Sequence, residues 1–511
     1  GNIYLSKGEI NMTGGNVLDG KATGTGGANR VGCGGNIYMA KGKMTVEKAT
    51  ISNGDASNSR GGNVYMDNGT QLTLNSGTQV TGGTSGKNGG SIYGNGSNVI
   101  VIDGASITGG TSKEGGGNIL LGGSGTLTMK SGVVSGGKAA YAGNICINAS
   151  ATMTLEGGSV ESGEATNGGN IYCSGSFTMT GGEIAKGKAT EKGGNIIYEN
   201  EGTAMTVSGG TIKEGTANNG GNIYLSKGEI NMTGGNVLDG KATGTGGANG
   251  VGCGGNIFMA KGKMTAENAT ISNGDASNSR GGNIYMATGV QLTLNSGTQV
   301  TGGTAGKSGG SIFANSSNAI VITGANIAGG TAVESGGNIQ LGASGTLTIN
   351  SGKIQNGIAG IQGGTSAQGG NIYAADATVI IHSGEITGGK ATRDRGGNLY
   401  LGGGKCKLGS GVIVITGGKK ITVTNGTITE GAASNLFFFA GTSNVDKSTY
   451  IDILSTLHAD SRIGIKSSGT PSFASNATQA LEQYQLIFIC DESSREIGLD
   501  TATHKLYLKA K

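Results

Sequence analysis

The sequence predicts an all-β fold, a right-handed parallel β-helix of about fifteen coils of roughly 27 residues, closed by a divergent β-rich C-terminal segment. Three observations predict it. First, one string keeps returning: GNIYL at Gly1, GGNIYM at Gly34, GGNVYM at Gly61, GGNIYC at Gly168, GGNIYL at Gly220, GGNIYM at Gly281 and GGNLYL at Gly396. Second, aliphatic residues hold fixed places in every repeat, with two-fold rather than 3.6-fold alternation. Third, glycine supplies 108 of 511 residues. In helices each would cost about 1 kcal/mol relative to alanine. A glycine-rich chain could be disordered, but the fixed aliphatic columns supply a continuous core. Parallel crossovers then favour the right hand.

The Asn after each glycine pair marks a coil. The series runs Asn2, Asn36, Asn63, Ser91 as a variant, Asn118, Asn144, Asn170 and Asn195. It continues at Asn222, Asn256, Asn283, Ser311, Asn338, Asn371 and Asn398, and more loosely at Asn435. Residues 1–93 and 221–313 are nearly identical, so a block of eight coils is duplicated with an offset of 220 residues. Residues 1–411 are expected to form the β-helix, with 1–220 and 221–411 related by duplication, and 412–511 the terminal coils and cap. The longer gaps after Asn2, Asn222, Asn338 and Asn398 must loop out, because the core columns resume in register.

Three strands are expected per coil. The first is the NIYL segment: Ile3, Ile37, Val64, Ile119 and Ile171 point inward with Leu5, Met39 and Met66, and the Tyr between them points outward. The second reads apolar–Thr–apolar, as in Met44-Thr45-Val46, Leu72-Thr73-Leu74 and Phe177-Thr178-Met179. The third carries an inward aliphatic, as at Val17, Ile51, Val80 and Ile107, and ends in a small-residue corner such as GKAT or GTSK. Paired glycines supply positive φ at the tight corner. The Asn that follows is expected to stack its amide on the Asn of the next coil, giving an inward or corner ladder. At the parallel-sheet spacing of ~4.8 Å, fifteen coils make a rod of roughly 70 Å.

From about Val412 the segments SNLFFFAG, STYIDILSTL, SRIGIKSS, QYQLIFICD and HKLYLKAK are longer and more apolar, and the only proline, Pro471, lies here. A solenoid end exposes unpaired backbone groups, so this segment should cover it, with Phe437, Phe438 and Phe439 as plugs. At the other end we expect more coils before Gly1, or a docked subunit. Because Gly1 lies inside a repeat, without an initiator Met or signal peptide, the chain is expected to be a processed or partial piece.

A formal charge of +4, with scattered basic residues, gives no case for nucleic acid or an anionic membrane. No apolar run is long enough to span a bilayer. Cys33, Cys146, Cys173, Cys253, Cys406 and Cys490 form no CxxC, so neither zinc nor a disulfide framework is expected, and the thiols should be mostly buried.

The GGNIY repeats resemble the Gly-Gly-aliphatic repeats of bacterial surface β-helix proteins, including the polymorphic outer-membrane adhesins; their companion FxxN motif is not regular here. Asn435-Leu436-Phe437, Ile451-Asp452-Ile453, Arg462-Ile463-Gly464-Ile465 and Leu506-Tyr507-Leu508 look like the closing segments of repeat proteins secreted by, or attached to the wall of, Gram-positive gut bacteria. The resemblance implies an extracellular surface protein, adhesive or structural. Its motifs encode fold and setting rather than chemistry.

Polysaccharide lyases and hydrolases need clustered carboxylates, often with calcium or a nearby base. Here His382, His458 and His504 stand in unrelated contexts, and Asp19 and Asp55 have no acid in the following coils. Arg393-Asp394-Arg395 reads as a solvated loop. No catalytic residue, cofactor or metal site is therefore expected. The sharpest surface feature is an outward aromatic column: Tyr4, Tyr38, Tyr65, Tyr93, Tyr172, Tyr224, Phe258, Tyr285, Phe313, Tyr373 and Tyr400, interrupted by Leu120, Cys146, Ile197 and Gln340. It is open to two readings, rings stacked on one another within the sheet, or an exposed stripe that contacts glycans or another rod. The Thr column is explained by β-propensity on a wet face better than by ice binding. Sequons such as Asn11, Asn95 and Asn148 are expected by chance. The expected function is a non-enzymatic extracellular rod or fibre protein. Its partners would be further copies of itself, other surface proteins, or host or cell-wall glycans.

Overall fold

The computed structural model describes residues 1–24, 31–245, 250–362, 366–393, 395–424, 427–439, 451–467 and 472–511. It is a parallel β-solenoid of about 16 turns with the expected spacing. Contacts divide the chain into two compact units: Gly1–Thr243 with Asn256–Phe258, and Gly244–Gly255 with Met259–Lys511.

In the first unit the coil opened by Asn36 shows the pattern. Its strands are Ile37–Met39, Lys43–Val46, Thr50–Ser52 and Asp55–Ala56. Alternation decides what each buries: Ile37, Met39, Met44, Val46 and Ile51 are sealed inside. Register follows the repeat, with Tyr4 opposite Tyr38, Tyr38 opposite Tyr65, and Tyr65 opposite Tyr93. Each inward column therefore stacks largely apolar on apolar.

The coil has four strands where three were expected. The small-residue corners pair with one another as a narrow fourth parallel sheet, with Asp55–Ala56 on Thr84–Ser85 and Thr84–Ser85 on Thr111–Ser112. Extended corner residues meet their counterparts one coil away, and pairing satisfies backbone groups that a bare turn would leave to water.

Each corner is a two-residue device. In Gly61-Gly62 the first glycine takes φ +68°. A Cβ on the second would overlap Gly90 O and Thr84 N of the next coil. At the first position conformation acts together with a close approach, since a Cβ on Gly61 would also press on Val64 O; at the second, space alone decides. Ala142 accordingly occupies a first position at φ 55°, while Gly143 keeps the second.

The second unit repeats this plan and then departs from it. Lys419–Thr424 and Thr427–Ala433 form an antiparallel hairpin at the end of its fourth-strand sheet. Leu436–Phe439 still adds in parallel to Leu399–Gly402, and Ile451–Ile453 to the preceding coil at Cys406–Leu408. Phe488–Cys490 adds in parallel to Arg462–Ser467. A short helix, Leu481–Ile487, buries Tyr484 and Ile487. Arg495–Asp500 and Lys505–Ala510 then form an antiparallel hairpin, and the latter also runs antiparallel to Ser472–Ser475. An antiparallel strand cannot continue the coil, so the parallel edge at Ser472–Ser475 is closed.

One expected plug is corrected. Phe437 stacks on Tyr400 with centroids 6.0 Å apart; it extends the aromatic column and does not fill the core cross-section. The side chains of Phe438 and Phe439, together with Asp394 and Pro471, lie outside the described residues. No helix among the described residues is long and apolar enough to cross a membrane.

Candidate functional site: the asparagine ladder and the aromatic column

The ladder asparagines sit at the corner, almost all fully buried, and most of their amides are saturated. Asn36 Nδ2 donates to Ser52 O at 2.7 Å and to Asn63 Oδ1 at 2.9 Å. Its Oδ1 accepts from Asn2 Nδ2 at 3.2 Å and from Gly20 N at 2.7 Å. Two donors and two lone pairs exhaust a primary amide. The same link joins Asn118, Asn144, Asn170, Asn195, Asn222 and Asn256, each to the next, at 2.7–2.8 Å. In the second unit it joins Asn338, Asn371, Asn398 and Asn435. Asn283 donates to Thr301 O and accepts from Gly274 N.

Ser91 and Ser311 interrupt the ladder. Ser91 Oγ is buried without a hydrogen-bond partner, whereas Ser311 Oγ donates to Asn338 Oδ1 at 3.4 Å. The ladder ends on a carboxylate that sequence reasoning missed. Asn435 donates through its backbone N and its Nδ2 to the two oxygens of Asp491, each at 2.7 Å. The end of the ladder and the closing segment are thereby joined.

The aromatic column stacks, and it is not an exposed stripe. Within each unit neighbouring rings lie near parallel: 4.9 Å for Tyr38 and Tyr65, 4.9 Å for Tyr224 and Phe258, 5.4 Å for Tyr285 and Phe313, and 5.0 Å for Tyr373 and Tyr400. Tyr65 is only 1% exposed; Tyr93, Phe258, Tyr285, Phe313 and Tyr400 are also buried. Tyr38, Tyr172, Tyr224 and Tyr373 are half-buried. Tyr4, in the first coil, is 68% exposed. Burial pushes the Tyr65, Tyr93 and Tyr172 hydroxyls up, and that of Tyr285 up to about 12.

What covers the rings is the residue just before each glycine corner, which lies over the ring two coils further on. Arg60 sits over Tyr93 at 5.3 Å, Lys192 over Tyr224 at 5.4 Å, Arg280 over Phe313 at 5.2 Å and Arg395 over Phe437 at 5.4 Å. Cys33 packs in one cluster with Tyr65, and Tyr141 meets Tyr172 edge-on at 5.6 Å. Arg395 is therefore a ring cover, which corrects its reading as part of a solvated loop. The available signal was positional: these residues always precede the corner.

The remaining chemistry-bearing groups are dispersed. Acidic side chains face lysines across neighbouring coils, as in Lys21–Asp55 at 3.3 Å, Lys138–Glu164 at 2.9 Å, Lys213–Glu183 at 3.0 Å and Lys353–Glu385 at 3.1 Å. Asp19 takes positive φ at a corner and accepts from Asn53 Nδ2. Five cysteines are buried and Cys490 is half-buried, none of them in a disulfide. Burial pushes the Cys146, Cys173 and Cys406 thiols up to about 12. Among the described residues, no three His, Cys, Asp or Glu side chains lie close enough to share a metal ion.

No protein-family model, curated protein or solved structure matches the chain.

Proposed function

We propose that this chain is a non-enzymatic structural or adhesive solenoid of a bacterial surface, a rigid component of an extracellular rod or fibre. The observation that carries the reading is the ladder. It places a saturated, buried amide at most coil corners, where each bond contributes about 1 kcal/mol and an unpaired buried group would cost more. Opening one coil strands amides on both sides, so local unfolding and proteolysis are resisted together. The charged groups fit the same reading, because acids are spent opposite lysines on exposed strands and are not gathered around one point.

Two measurements test it. Surface proteolysis and antibody labelling of intact source cells should reach the chain; labelling only after lysis would overturn the extracellular assignment. Incubation with neutral and anionic polysaccharides, with calcium present, should release no reducing ends or unsaturated products; catalytic release would overturn the non-enzymatic one. Electron microscopy of native material then distinguishes isolated, bundled and end-joined particles.

A further inference from the structure

One ring cover is unlike the others. At this position most coils place Cys, Asn, Ser, Arg, Lys or Gln, but the coil opened by Asn118 places Tyr141 there, 49% exposed. Two local features leave it uncovered. It leans edge-on against Tyr172, further along the column. The rung before it is Gly115, paired with it in the ladder, which carries no side chain. The next rung is Asn88, whose Oδ1 accepts from Gly115 N at 2.9 Å. Tyr141 and Asn88 thus stand two rungs apart, roughly 10 Å, on either side of a bare glycine.

The floor and rim of this gap have definite chemistry. A Cβ on Gly115 would touch Asn88 Oδ1, Leu120 Cδ1 and Cys146 Sγ; Leu120 and Cys146 are themselves buried, so the gap is shallow and contact falls to the Tyr141 ring and the rim. The rim is polar: Asn88 Nδ2 donates to Glu114 Oε2 at 2.6 Å, which leaves the amide a second N–H and a second lone pair.

We propose that Tyr141, with Asn88 and Glu114, forms a subsite for one neutral pyranose of a glycan. The axial C–H face of a sugar ring is apolar and weakly positive, and it matches the negative face of the tyrosine ring. The equatorial hydroxyls both donate and accept, which an amide paired with a carboxylate can answer in both directions. The carboxylate disfavours an acidic sugar by like-charge repulsion. This assigns sugar contact to one break in the repeat and not to the covered column. It supplies a binding role to the adhesive reading but does not depend on where the protein resides.

The test is titration of the intact chain with neutral gluco-, galacto- and manno-configured oligosaccharides up to millimolar concentration. The wild type is expected to bind at least one of them. Tyr141→Ala should weaken that binding at least tenfold, while Tyr141→Phe, which keeps the ring, should stay within about twofold. Tyr141→Ala also removes the cover over Tyr172, so Glu114→Gln serves as a second variant that leaves every ring in place. It should weaken binding with the melting temperature unchanged. No binding by the wild type, or Tyr141→Ala binding as the wild type does, would overturn the subsite. Neither result bears on the surface-labelling test above.

Discussion

At the scale of single residues, the glycine corner separates two reasons for glycine that composition merges. Gly168 takes φ +67°, and Ala142 shows that a side chain can occupy its position. Gly169 has no such freedom, because a Cβ would overlap Gly194 O and Lys188 N. We expect Gly168→Ala to cost at least about 1–2 kcal/mol, the usual left-handed penalty, because its Cβ would also press on Ile171 O. Gly169→Ala should cost more than about 4 kcal/mol, because backbone on both sides must move. Denaturant midpoints of the two variants check the order. The break at Ser91 gives the opposite sign. Ser91→Asn would insert an amide between Asn63 Nδ2 and Asn118 Oδ1, raising stability by about 1–2 kcal/mol. A midpoint at or below that of the wild type would show that the corner cannot accept the larger side chain.

At the scale of elements, the aromatic column acts as a second core outside the first, enclosed between the sheet and the corner residues of other coils. Burial holds Tyr65, Tyr93, Tyr172, Tyr224, Tyr285, Tyr373 and Tyr400 neutral, so their folded values lie above the unfolded value near 10. The stability they contribute is complete below about pH 10 and is lost as pH climbs through their folded values, with Tyr285 reaching about 12. Tyrosinate absorbance for the column should therefore rise together with loss of β-sheet circular dichroism. Rings that ionise well before the sheet melts would contradict their enclosure. The closing segment offers a second check. Asp491 accepts two bonds from Asn435, and charged hydrogen bonds contribute about 1.5–3 kcal/mol each. Asp491→Ala is expected to release the C-terminal segment to protease before the coils are cut.

At the scale of the whole molecule, the duplication makes the coils interchangeable. Residues 1–29 and 221–249 are identical, and Asn222 bonds to Asn256 just as Asn2 bonds to Asn36. Deleting residues 36–255 joins Gly35 to Asn256, and the seam reproduces a junction that already exists. In a solenoid each coil needs only its neighbours. The shortened chain should give an undiminished β signal per residue and a cooperative melt; an aggregated or helical product would refute the modular account.

Reading the sequence was enough to obtain the coil, its inward columns, the stacking register and the ladder positions. These depend on alternation along one strand and on a repeat that brings like residues together, and both are local properties. Three-dimensional stacking alone decided the rest. Arg60 and Tyr93 meet across an intervening coil, and Asp491 closes the ladder from 56 residues beyond Asn435. The fourth strand exists because corner backbones find partners one coil away, which no propensity of Lys-Ala or Thr-Ser announces. Alternation along a strand tells which way a tyrosine points; only the fold tells what lies on top of it.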